Sequence, residues 1–283
     1  KQVQEYISDM SKMKTGLKDF YEYDKHQSNP VRVLDSDGYA GVARGKNEYM
    51  GGALNPIYPE VQDYWMSIVK DCINCGVDGI NFRVTNHSCT SDERDEYGFN
   101  EPALKKCDNR VDRDLINRIN GKAYTEFLRK AKSELVKHGL TTSIHVNAVF
   151  VHPDDRGDKQ FWGKTPPNIT WEWEKWIKDI ADVVYLKDMH MLTEPHMEHF
   201  IDMVSRVAKE YNKPVIYVST NKEVRFDGDH SRINYEINKV LEHERIDGYN
   251  LYETSVYTRM TDENTIEGSP DIYKIFNKID SSP

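Results

Sequence analysis

The sequence is poor in cysteine, with four in 283 residues at positions 72, 75, 89 and 107. That is too few for the disulfide framework of a small secreted domain. No apolar run approaches the roughly 18 to 20 residues of a bilayer-spanning helix, so no membrane span is expected. Basic residues are outnumbered, 38 Lys and Arg against 47 Asp and Glu for a net charge of −9. This argues against a nucleic-acid partner, because phosphate binding depends on clustered Lys and Arg. No glycine-rich phosphate turn follows any strand, so a dinucleotide-binding sheet lacks its fingerprint. No Gly-x-Ser-x-Gly elbow is present, which weakens a Ser-His-Asp hydrolase. No repeat or low-complexity tract interrupts the chain. It opens Lys1-Gln2-Val3-Gln4-Glu5 without an initiator Met or the layout of a signal peptide, and reads as a processed or truncated end.

What is present is enough apolar material for a large core, 38% hydrophobic residues with 30% charged, the balance of a soluble globular protein. Short β-branched runs alternate with longer helical ones, the pattern of parallel βα units. The sequence predicts strands at 77–84, 142–149, 182–188, 214–219 and 249–253, with 31–35 as a further strand or rim segment. Between them, Asn55-Pro56 launches a helix carrying Val61, Trp65, Ile68 and Val69 on one side. A second helix runs from about Gly121 to His138 and is stopped by Gly139. A third presents Phe200, Met203, Val204 and Val207, and a fourth ends near Glu244. Right-handed crossovers force either a doubly wound sheet or a barrel. The expected fold is α/β, a (β/α)8 TIM-barrel-like single domain over residues 1–283, with its N-terminal strands missing or irregular. Residues 151–176, with Trp162, Trp171, Trp173 and Trp176, read as a structured rim loop.

A parallel barrel places its chemistry at the C-terminal ends of its strands. Those ends are polar here: Asn81, Arg83, Asn86 and His87; His145 and Asn147; Lys187 and Asp188; Ser219; Glu253. Buried charge is costly unless paired, so this density reads as a polar pocket, the alternative being a wet rim whose groups satisfy one another. Asp188 and Glu253 come from non-adjacent strands and form the candidate catalytic pair for glycosidic hydrolysis. One would protonate the leaving oxygen while the other attacks or activates water. Asn100-Glu101-Pro102 supplies a third carboxylate in a triplet seen at the acid/base position of many retaining glycosidases. The same residues also read as an N-cap followed by an acid and a proline in the first helical turn. Trp162 is the candidate for stacking on a sugar ring, whereas Trp173 and Trp176 also read as the buried stripe of a helix. Arg83, His87, His145 and Lys187 give the mouth a basic character that suits an anionic sugar.

No cofactor is expected. Cys72-x-x-Cys75 has no second Cys-x-x-Cys or His pair to complete a zinc site, and the thiols read as reduced, with a Cys89–Cys107 bridge as the alternative. Strand-end His145 and Lys187 also suit a metal-dependent hydrolase, but the His-x-His pair of such enzymes is absent.

The segment from Leu54 to Tyr64, which contains Asn55-Pro56-Ile57-Tyr58-Pro59-Glu60-Val61, is followed by Gly76-Val77-Asp78-Gly79-Ile80-Asn81-Phe82. Together they resemble the helix start and strand of bacterial glycoside-hydrolase-like TIM-barrel proteins. As an order of elements the resemblance runs from about residue 31 to 255, with its specific motif in 54–83. It implies a barrel acting on polysaccharide and exported, hence secreted or periplasmic. The sequons at Asn86-His87-Ser88 and Asn168-Ile169-Thr170 permit export. Where relatives commonly carry acids, this strand ends in Asn81 and Arg83, so no carboxylate is carried over to it. A non-catalytic sugar-binding descendant stays open beside the hydrolase.

Overall fold

The structure is a computed structural model that describes residues 54–83, 100–108, 112–147, 170–187, 195–219, 231–251, 258–261 and 266–268. Two compact units emerge: residues 1–144 with 152–181, and residues 145–151 with 182–283. Both have α/β character, and β1–β2, β3–β4 and β4–β5 pair in parallel. The expected segment at 31–35 lies outside the described residues.

In the first unit, α1 (Pro59–Asn74) leads to β1 (Gly79–Phe82), followed by α2 (Glu101–Lys106), α3 (Arg113–Lys137), β2 (Thr141–Asn147) and α4 (Trp173–Asp179). Asn55-Pro56 does not launch α1. The Asn55 side chain accepts from the Ile57 backbone N–H at 3.0 Å in a local turn, and the helix starts three residues later at the second proline. Val61 and Val69 are buried as expected, but Ile68 is 45% exposed. The reason is Gln62, whose side chain donates to the Pro56 and Ala123 carbonyls and accepts from Lys130 at 2.7 Å. A helix turns about 100° per residue, so burying Gln62 beside Val61 swings Ile68 off the packed side.

Helix α3 begins well before Gly121 because Asp112 caps it, accepting from the Leu115 N–H at 3.0 Å. Its buried residues Ile116, Ala123, Phe127, Leu128, Ala131 and Leu135 recur at helical spacing. Each of the larger ones contributes about 1.5 to 3 kcal/mol by leaving water. Phe127 meets Trp65 at 5.0 Å and Phe82 at 6.0 Å, edge to face, so β1 turns Phe82 toward α3. Tyr124 packs on Trp176 at 5.6 Å, and burial pushes its phenol well above the usual range. Both Trp173 and Trp176 are buried on α4, which settles their reading as a helical stripe. Beyond α3, Gly139 takes the left-handed backbone that ends the helix, with φ +68°.

The second unit holds the end of β2 from His145 onward, then β3 (Val183–Lys187), α5 (Pro195–Glu210), β4 (Val215–Ser219), α6 (Ser231–Glu242) and β5 (Gly248–Leu251). Its strand order is β2-β3-β4-β5. Phe200, Ile201, Val204 and Ala208 of α5 and Ile237 and Val240 of α6 are buried. Asp247 ties two strands together, because its carboxylate accepts from the Val215 N–H at 2.7 Å as β5 begins. A two-stranded antiparallel sheet, β6 (Thr258–Met260) with β7 (Ile266–Gly268), has no counterpart among the strands expected from the sequence.

Candidate functional site

Strand alternation sorts the second unit into two surfaces. In register, Val184 faces with Val215 and Leu186 with Tyr217, and all four are buried. The intervening positions pair Tyr185 with Ile216, Lys187 with Val218 and Val218 with Asn250. His145 joins this second surface, since its ring stacks on Tyr185 with centroids 5.2 Å apart and planes 20° from parallel. One surface is therefore apolar, and the other carries an imidazole, a phenol, an ammonium and an amide. Lys187 is the last residue of β3 and only 7% exposed, while His145 is 8% exposed. Parallel pairing brings Lys187 and Ser219, the final residues of β3 and β4, to the same C-terminal edge, and β2, the other neighbour of β3 in the sheet, ends at Asn147.

In the first unit, Asn81 of β1 donates to the Ser143 hydroxyl of β2 at 2.7 Å, in the register that pairs the two residues. Arg83 follows directly after β1 and is half-buried. The sequence-selected cations thus divide, Arg83 in one compact unit and His145 and Lys187 in the other. Asp188 is next in the chain after Lys187, and Glu253 is two residues past Leu251. Both lie outside the described residues, as do Asn86, His87 and Trp162.

Glu101 has a helix-start setting instead of a strand-end one. It opens α2, its side chain is 71% exposed, and it pairs with Lys105 at 2.5 Å one turn on. Asn100 occupies the N-cap position but its side chain makes no capping bond. The Asn100 oxygen instead accepts from the Asn55 amide at 2.6 Å, with both residues buried. Burial is also what raises the nearby Tyr58 phenol, against a lowering hydrogen bond from Asn100 and with a further push from Glu101 and Glu60.

Sequence reasoning passed over Ser143, Tyr185 and Asn250. Period-two counting back from His145 and from Lys187 reaches Ser143 and Tyr185, but tyrosine and serine inside a β-branched run read as sheet filling. Among the described residues, no group of three or more His, Cys, Asp or Glu side chains is placed to hold a metal ion, and no helix is long and apolar enough to cross a membrane.

Chemically, the His145–Tyr185–Lys187 surface offers a buried amine, an imidazole that can donate or accept, and an aromatic support. A buried ammonium favours negative charge beside it far more than an exposed one does.

No family model matches the chain, and no curated protein matches it. Among solved structures, the chain is similar to the PgaB (BpsB) glycoside hydrolase domain from Bordetella bronchiseptica. The identity is 14% and the TM-score 0.47, over 80% of this chain and 65% of that one. It is similar to the catalytic domain of beta-amylase from Paenibacillus polymyxa at 11% identity and TM-score 0.43, over 93% of this chain and 77% of that one. With the GH20 exo beta-N-acetylglucosaminidase from Vibrio harveyi it shares 11% identity at TM-score 0.40, over 81% of this chain and 32% of that one. The chain thus spans less than two thirds of the first and a third of the last, and these structural neighbours are glycoside hydrolases.

Proposed function

We propose that the chain is a (β/α)-barrel glycoside hydrolase acting on an anionic oligo- or polysaccharide outside the cytoplasm. The observation that carries this reading is the burial of Lys187 and His145 together on one surface of a parallel sheet, at its C-terminal edge. Parallel α/β folds place their chemistry at that edge. Lys187 receives the acidic substituent of the sugar, and His145 hydrogen-bonds its hydroxyls from a ring held by Tyr185. Glu253 and Asp188 supply the two carboxyl groups: one protonates the departing oxygen, and the other attacks the anomeric carbon or activates a water.

The test is release of new reducing ends from a panel of neutral and acidic polysaccharides by the purified chain. Glu253→Gln and Asp188→Asn are run beside it, with ligand binding measured by calorimetry. Turnover of an acidic member is expected, with either variant losing about 100- to 10,000-fold in rate while binding is kept. Binding without turnover in the unaltered chain would make it a sugar-binding barrel instead, and neither binding nor turnover would end the proposal.

A further inference from the structure

The pair Cys72 and Cys75 has no part in the reading above. Cys72 lies in the last turn of α1 and is partly accessible, while Cys75 is exposed at the position that caps the helix. Both are thiols, three residues apart on one side of the helix end. Helical residues at this spacing have Cβ atoms about 5 to 6 Å apart. A disulfide requires a Cβ separation of about 3.5 to 4.5 Å, with Cα atoms about 4.4 to 6.8 Å apart. The backbone is therefore already within reach, and an inward shift of an ångström or two closes the gap.

The chain at Cys75 can make that shift. Its N–H is shared between the Asp71 and Cys72 carbonyls at 3.0 and 3.1 Å, so moving toward Cys72 trades one acceptor for the other without stranding the donor. The next residue, Gly76, has φ +78°, and no atom lies within 4 Å of where a Cβ would sit. A glycine in open space absorbs a change of direction that a bulkier residue would resist. A zinc site would need two further ligands, and no metal-holding group of three or more such side chains occurs among the described residues. A disulfide needs only the two thiols present.

We propose that Cys72 and Cys75 form a reversible intrachain disulfide, a modification site that responds to low-molecular-weight disulfides. One thiolate attacks the oxidant RSSR, forming a mixed disulfide and releasing RSH. The second thiolate then attacks the protein sulfur of that mixed disulfide and expels the other RSH. Two S–H bonds are lost and one S–S bond forms, while RSSR is reduced to two RSH. The closed bond clips the last turn of α1 to the turn that enters β1.

The full-length folded chain, incubated with glutathione disulfide, then blocked with iodoacetamide and digested with trypsin, decides the matter. The peptide Asp71–Arg83 contains these two cysteines and no other. Its mass is expected to fall by two hydrogens with no alkylation, and dithiothreitol should restore two alkylatable thiols. In Cys75→Ser, the same treatment should leave glutathione attached to Cys72. Two carbamidomethyl groups on the peptide after oxidation, a glutathione on each sulfur, or a bond from either residue to Cys89 or Cys107 would each overturn the assignment.

Discussion

The rings of His145 and Tyr185 lie one over the other, 5.2 Å between centroids and 20° from parallel, joining the end of β2 to the middle of β3 within the second unit. Offset stacking of this kind contributes about 0.5 to 1.5 kcal/mol beyond the area it buries. It also removes rotational freedom from the imidazole, which a group meant to address one hydroxyl of a ligand would otherwise have to lose on binding.

A double-mutant cycle measures that contact. Tyr185→Leu and His145→Leu keep apolar volume and remove one ring each. Combined, they are expected to show a coupling energy of about 0.5 to 1.5 kcal/mol by urea denaturation. Strict additivity would mean that the rings are adjacent without interacting.

Gly121 sits inside α3, where alanine would ordinarily stabilise by about 1 kcal/mol. Here a Cβ would lie 2.3 Å from the Thr170 carbonyl oxygen, because the strand of chain before α4 crosses the helix at this point and the Thr170 N–H bonds the Asn117 carbonyl at 2.9 Å. Gly121→Ala is therefore expected to destabilise, lowering the thermal midpoint. A raised midpoint would show that the crossing segment can lift away.

Glu172 should give the first unit part of its acid sensitivity. Burial pushes its carboxyl up. Hydrogen bonds from Lys175 and from Thr125 at 2.7 Å, with the charges of Lys175 and Arg129, outweigh that and bring it below the ordinary value of 4.5. A carboxyl held low in the folded state stabilises above its unfolded value, and that contribution is lost as pH falls through the folded one. Glu172→Gln is expected to cost about 1 to 2 kcal/mol near neutrality, and the gap to the unaltered chain should narrow below pH 4.5. Denaturation curves along a pH series test this, and a gap as wide near pH 3 as at pH 7 would refute the charge-based account.

Much of this architecture is readable from residue order. The β-branched runs at 142–149, 182–188 and 214–219 became β2, β3 and β4 within two residues, since dense Val and Ile in short bounded runs have few other uses. The run at 77–84 shrank to Gly79–Phe82. Asp78 sits at a bend just before β1, although its carbonyl already accepts from the Thr141 N–H of β2 at 3.0 Å. Helix starts were harder, because they depend on which of two competing caps wins. Asn55 turned its side chain to a local loop, Asn100 turned its own to Asn55, and Asp112 capped a helix whose internal Gly121 resembled a boundary. Tyr185 illustrates why part of the polar surface was missed: its role comes from the neighbouring strand, and cross-strand pairing leaves no local trace.

Lys187 offers the sharpest test of the proposed ligand class. At 7% exposure its side chain is screened by little water, so its charge acts on a bound anion at much greater strength than a surface lysine would. Lys187→Met preserves most of the stem and removes the charge. Against an acidic oligosaccharide it is expected to weaken binding by about tenfold to a hundredfold, the range for a charge-assisted hydrogen bond of about 1.5 to 3 kcal/mol. Against the matched neutral oligosaccharide the change should stay within a few-fold. Lys187→Arg keeps the charge in a longer, forked group, and should recover part of the acidic preference. Calorimetric titrations of the three proteins with both ligands, after far-ultraviolet circular dichroism has shown each to be folded, separate the possibilities. Equal losses for acidic and neutral sugars would make Lys187 a packing element of β3, and the anionic preference would then have to be abandoned.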